Sequence, residues 1–140
     1  MKKIILLCLI IAALGSTSCR KLALHGDFSG QWQILTIDYP DGTHVEPQGE
    51  YYYCFYRDVA QLTDLNNTRI VANMTYNDDE FVLQFPYEIV ERLAPWGIIC
   101  PDTVDPETKG YSATFTIDRL TSKRLVMTTD MGVTIACRKY

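Results

Sequence analysis

Apolar and polar residues alternate through most of the chain, and the alternation is clearest near the C-terminus. In segment 111–118 every second residue is apolar, from Tyr111 to Ile117, and the residues between them are polar. A period of two is typical of a half-buried β-strand, because successive side chains point to opposite faces. The same period returns in segments 124–128 and 133–138, and short turn-like connections join all three. The pattern predicts a three-stranded antiparallel meander.

The preceding part of the chain shows the same period in further segments. These lie at 31–38, 51–56, 59–63, 70–75 and 81–85. Segment 87–94 breaks the alternation and predicts a short helix that ends at Pro95. About eight antiparallel strands with one short helix predict a closed all-β barrel of eight strands, with a β-sandwich as the alternative.

The N-terminal segment has a different pattern, with a basic start, apolar residues from 4 to 14, and small residues that end at Cys19. As a helix the apolar run spans about 16 Å, which is less than the roughly 30 Å of a bilayer core, so it predicts a signal peptide. The small residues before the cysteine resemble a bacterial lipoprotein signal, in which the cysteine is lipidated and the chain is cut just before it. Ordinary secretion is the alternative. We expect a lipoprotein signal peptide at 1–18, lipidated Cys19 with a tether at 19–29, and the barrel domain at 30–140.

Loss of the signal changes the charge of the chain. The sequence has 13 basic and 17 acidic residues, and removal of Lys2 and Lys3 moves the net charge from −4 to −6. An acidic surface of mixed sign argues against nucleic acid as a partner. The residue after Cys19 is Arg20, not the Asp associated with inner-membrane retention, and no acidic cluster resembling a surface-export signal follows. We therefore expect anchoring in the outer membrane through the lipid, with the periplasmic face favoured over the cell surface.

The polar residues give little support for catalysis or for a cofactor. His25 lies in the tether and His44 beside a turn, so the pattern buries neither, and we expect no catalytic residues. The spacings of Cys54, Cys100 and Cys137 match no zinc site, and we expect neither a metal nor a cofactor. These cysteines are expected to be small buried residues. In an oxidising compartment, a single disulfide between two of them is the alternative.

Gly30 and Trp32, at the start of the first predicted strand, resemble the Gly-x-Trp of lipocalins. With the all-β chain that follows, and with the stretches 93–98 and 115–126, the sequence resembles the lipocalin-like lipoproteins of Bacteroidota-type bacteria, a group of unassigned function. The resemblance implies a lipocalin-like barrel over 30–140 whose floor is closed by Trp32.

The alternation also indicates which side chains would line a hollow barrel. Tyr51, Tyr53 and Phe55 share one face of their strand, and Tyr52 and Tyr56 share the other. The candidate ligand-binding residues are Trp32, Phe55, Phe81, Leu83, Phe85 and Phe115. Segment 87–98 is expected near one mouth. The favoured hypothesis is a non-enzymatic protein that binds a small apolar ligand.

A filled barrel is the second hypothesis. Such a domain would be a structural module, an inhibitor or an accessory subunit that meets a protein partner through its surface. It predicts an exposed apolar patch that includes Tyr52, Tyr56 and residues 98–99. An enzyme is the third and least favoured hypothesis.

Overall fold

The part of the chain that the computed structural model describes, residues 25–101 and 110–140, contains nine strands, and eight of them are the alternating segments. The strands are β1 (Gly30–Asp38), β2 (His44–Val45), β3 (Tyr51–Tyr56), β4 (Val59–Asp64), β5 (Arg69–Asn77), β6 (Glu80–Pro86), β7 (Gly110–Leu120), β8 (Arg124–Thr129) and β9 (Thr134–Lys139). The predicted strand at 51–56 has the observed bounds, and the other predicted strands differ by one or two residues at their ends. The two-residue strand β2 is too short to produce an alternating pattern.

The strands close into a barrel. From β3 onward each strand pairs antiparallel with the next, and β1 pairs with both β3 and β9. The closing pairs run from Trp32 opposite Lys139 to Asp38 opposite Thr134. Strand β2 adds to the end of β1, where Ile37 lies opposite Val45. The predicted eight-stranded antiparallel barrel is confirmed, and the pairing of β1 with β9 excludes the β-sandwich.

The predicted helix at 87–94 takes a tighter form. The chain makes a 3-10 helix at Tyr87–Arg92 and a second one at Ala94–Trp96. The amides of Leu93 and Trp96 bond to carbonyls three residues back, at 3.3 and 3.0 Å. Pro95 has no amide hydrogen to donate, so a continuous α-helix cannot pass through it. Within the described residues no helix is long and apolar enough to cross a membrane.

One end of the barrel, here called the floor, is closed by Phe28, Trp32 and Lys139. Phe28 ends a 3-10 turn at Gly26–Phe28 and is fully buried, and its carbonyl accepts a hydrogen bond from Trp32 Nε1 at 2.8 Å. Lys139 Nζ lies 4.3 Å from the centroid of the Trp32 ring and donates to the carbonyls of Asp27 and Ser29. Residues 25–29, which the sequence assigns to the tether, thus pack against the barrel.

The opposite end is covered by residues 87–98, here called the lid. The lid follows β6 and crosses the mouth, because Trp96 contacts β3 and β4 on the far side. Three of its side chains are buried: Leu93, Trp96 and Ile98. The expected position of segment 87–98 at one mouth is confirmed.

Candidate functional site

The six candidate cavity residues all point into the barrel. Trp32, Phe55, Phe81, Leu83, Phe85 and Phe115 belong to one hydrophobic cluster, and none is more than 2% exposed. The alternation that selected them is therefore correct as a prediction of which face is interior.

The rings among these residues pack against one another near the floor. The Phe81 and Phe115 rings stack with centroids 4.6 Å apart, and Phe55 meets Phe81 edge-on at 5.2 Å. Phe28 stacks on Phe55 at 4.2 Å, so a residue outside the predicted barrel domain completes the group. The contact of these six residues with a ligand stays a prediction, and it requires a passage through the floor or the lid.

The lid is fixed to the barrel by hydrogen bonds at Trp96. The buried Tyr53 hydroxyl donates to the Trp96 carbonyl at 2.6 Å, and Trp96 Nε1 donates to the Thr63 carbonyl at 3.2 Å. Burial raises the pKa of Tyr53 well above its ordinary value, which keeps the hydroxyl protonated as the donor this bond needs. Tyr51 adds an edge-on contact with the Trp96 ring at 5.1 Å.

A cleft of about 540 Å³ opens beside the lid. One wall comes from the first 3-10 helix of the lid, and the other comes from the extended segment that follows Gly97. The lining residues are Tyr87, Glu88, Val90, Glu91, Ala94, Ile98, Ile99, Cys100 and Pro101.

Hydrogen bonds hold the second wall of the cleft in place. Tyr111 on β7 donates through its hydroxyl to the Ile99 carbonyl at 3.1 Å, and Cys100 Sγ lies 3.7 Å from the Val90 carbonyl. Burial, with a smaller contribution from Asp130, raises the pKa of Tyr111 to about 12 and raises the pKa of the Cys100 thiol. Both groups are therefore neutral hydrogen-bond donors at neutral pH.

The two histidines lie outside the cleft and the barrel. His25 Nε2 donates to the Arg57 carbonyl at 2.8 Å, and His44 contacts Asp38 and Glu46 on the exposed surface. Cys54, Cys100 and Cys137 are all free thiols, of which Cys137 is buried and the others half-buried. Across 25–101 and 110–140 no three His, Cys, Asp or Glu side chains are close enough together to hold a metal ion.

The exposed patch predicted for a filled barrel is wrong at two positions. Tyr52 is 8% exposed, because Tyr140 packs edge-on against its ring at 5.2 Å and Gln33 donates to its hydroxyl at 3.1 Å. Ile98, a buried residue of the lid, is 2% exposed, whereas Tyr56 is 62% exposed as expected. These residues therefore do not form one surface patch.

The alternation did not reveal the cleft residues Tyr87 to Ala94 and Ile99 to Pro101 as a site, because they belong to no strand. The one available signal was the break in the period of two after Pro86. Phe28 was missed as well, and its signal was weaker: it is the single aromatic residue in 20–29.

The geometry of the domain agrees with its relatives. A family model described as a lipocalin-like domain matches residues 12–140. A crystal structure of a lipocalin-like protein from Bacteroides uniformis is 21% identical, with a TM-score of 0.62, and the match covers 82% of this chain and 100% of that one. An uncharacterized protein from Bacteroides eggerthii is 20% identical, with a TM-score of 0.58 and coverage of 81% and 99%. No curated protein matches the chain. At these identities the structural likeness concerns the fold, and the family match over 12–140 shows that the chain belongs to the lipocalin-like domain family.

Proposed function

We propose that this protein is a lipid-anchored, non-enzymatic component of the cell envelope that binds a small apolar ligand. Anchoring would be through Cys19, in the outer membrane and with the periplasmic face favoured. The observation that carries the binding proposal is the cleft beside the lid. Its volume of about 540 Å³ lies within the range of pockets that hold small molecules.

The position of the tether gives the anchored domain an orientation. The chain enters the barrel at the floor, where Phe28 and Trp32 pack, and His25 is only six positions after Cys19. Six residues in any conformation span at most about 22 Å. A lipid on Cys19 would hold the floor near the membrane, and the cleft at the opposite end would face away from it.

The anchoring proposal is tested by Cys19→Ala in the native host. We expect the wild-type chain to incorporate radiolabelled palmitate and to fractionate with the outer membrane, and the variant to incorporate none. Cys54→Ala is the matched control, because Cys54 lies on the barrel and should not affect labelling. Incorporation of label by the Cys19 variant would contradict the proposal.

Ligand binding can be followed at the cleft itself through the Cys100 thiol. The full chain is held in lipid nanodiscs, decanol is the probe, and alkylation by iodoacetamide is measured for each cysteine by peptide mass spectrometry. We expect decanol to slow alkylation of Cys100, which lines the cleft, and to leave Cys54 on β3 unchanged. An unchanged Cys100 rate at saturating decanol would contradict binding in the cleft.

The packing of the interior supports a second candidate function. Because Phe28, Phe55, Phe81 and Phe115 stack near the floor, the domain would act through its surface as an interaction module. The decanol experiment separates the two candidates, since the interaction module predicts no effect of the probe on either thiol.

A further inference from the structure

The cleft beside the lid combines apolar side chains with two negatively charged carboxylates. Its accessible apolar surface comes from Val90, Ala94, Ile99 and Pro101, since Ile98 is only 2% exposed. Glu88 and Glu91 stand on the same wall as Val90, and the described lining includes no lysine, arginine or histidine. A ligand that fits this cleft would therefore meet a hydrophobic surface with negative charge at its border.

The geometry of the lid places the two carboxylates together. Glu88 and Glu91 are three residues apart on a 3-10 helix, and residues at that spacing eclipse one another along the helix axis. Both side chains are exposed to solvent. Arg92, the cationic residue of the same helix, is not among the described residues that line the cleft.

A further acid, Asp130, follows β8, and its amide donates to the Thr114 carbonyl on β7, the strand that carries Tyr111. Asp130 is close enough to Cys100 and Tyr111 to raise the pKa of each, in addition to the effect of their burial. The charges around the cleft thus favour a positive group, and they would repel a carboxylate.

We propose that the ligand of this cleft is an amphipathic organic cation, whose apolar body lies against Val90 and Ile99 and whose ammonium or amidinium group lies beside Glu88 and Glu91. This inference rests on the proposed binding function and adds the charge class of the ligand. A neutral apolar ligand would use the same walls but would gain nothing from the two carboxylates.

Three probes with the same ten-carbon chain test the charge class: decyltrimethylammonium, decanol and decanoate, all below their micellar concentrations. The full chain is held in nanodiscs, and the concentration of free probe is measured after filtration. The affinity of each probe is compared through the free concentration that produces half of the maximal change in the rate of Cys100 alkylation. We expect the cation to bind about fivefold more tightly than decanol, as exposed ion pairs allow, and decanoate to bind more weakly. High salt should reduce the preference, because it screens exposed charges.

The carboxylates are tested by the double variant Glu88→Gln and Glu91→Gln. It should bind the cation no better than decanol and should bind decanol as the wild type does. The matched control is Asp78→Asn with Glu80→Gln, which removes two charges at the turn between β5 and β6, at the floor end of the barrel. This control should keep the preference for the cation.

The outcomes separate this inference from the binding proposal beneath it. If decanol and decanoate bind the wild type as tightly as the cation does, the charge class is wrong and apolar binding stands. If the preference survives in the Glu88 and Glu91 variant, the assignment of these carboxylates is wrong. If no probe changes the Cys100 rate, both proposals are overturned.

Discussion

Gly97 connects the second 3-10 helix of the lid to the second wall of the cleft, and its backbone conformation favours glycine. Its φ is +79°, in the left-handed region that side chains rarely adopt. A Cβ at this position would lie 2.9 Å from Ile135 Cδ1 and 3.2 Å from Ile37 Cγ2. Both isoleucines are buried, so they have little room to move away.

We expect Gly97→Ala to lower the free energy of unfolding by about 2–4 kcal/mol, from the left-handed backbone and the crowding together. Urea denaturation measures the change. Gly42→Ala is the matched control, because Gly42 also has a positive φ of +89° but a Cβ there would meet nothing within 4 Å. The control should cost about 1–2 kcal/mol from the backbone alone. Equal effects at the two positions would contradict the role given to Ile37 and Ile135.

Among the elements, the strands could be predicted in detail, whereas only the position of the lid at one mouth could be predicted. Alternation identified the interior residues of β6 and β7, because a strand with one buried face has an apolar residue at every second position. The lid has no such period, and its path across the mouth depends on Tyr53, which lies 43 residues before Trp96 in the chain. The cleft is formed by segments of this kind, so the sequence predicted the place of the lid and not the cleft.

Strand β2 is attached to β1 by a charged contact that depends on pH. His44 Nδ1 lies 2.5 Å from Asp38 Oδ1, and Nε2 lies 3.4 Å from Glu46 Oε1. The pKa of His44 is raised above its ordinary value of 6.5, mainly by the hydrogen bond to Asp38 and secondly by the hydrogen bond to Glu46. Protonated His44 stabilises the attachment of β2. This contribution is fully present below the pKa of His44 in the unfolded chain, and it is lost as the pH rises through the higher pKa of the folded state.

We expect an NMR titration of the His44 ring to show a midpoint above 6.5, and Asp38→Asn to lower it. Amides of β2 should be better protected from exchange at pH 6 than at pH 8, since protonated His44 holds β2 against Asp38. Asp58→Asn is the control, because this exposed residue lies in the turn between β3 and β4, at the floor end of the barrel, and its loss should leave the midpoint unchanged. A midpoint that does not respond to the loss of Asp38 would contradict this assignment.

At the scale of the whole molecule, the two ends of the barrel are closed by different means. The floor is built into the strands that close the barrel, since Trp32 lies opposite Lys139 and the Tyr140 amide bonds to the Gln31 carbonyl at 2.9 Å. The lid follows β6 in the chain and pairs with no strand. Its two 3-10 helices are short, so they contain few backbone hydrogen bonds. Local opening takes place where such support is sparse. We therefore expect the lid end of the barrel to open more readily than the floor.

Hydrogen exchange with peptide mass spectrometry compares the two ends directly. We expect the amides of 93–98 to exchange at least about tenfold faster than those of 31–34, because the bonds of Trp96 to Leu93 and of Gly97 to Ala94 open without separating strands. Tyr53→Phe removes the donor to the Trp96 carbonyl and should speed exchange in 93–98 while leaving 31–34 unchanged. Equal protection at both ends would mean that lid and floor open only together, and the interior residues would then be closed to a ligand in the folded state.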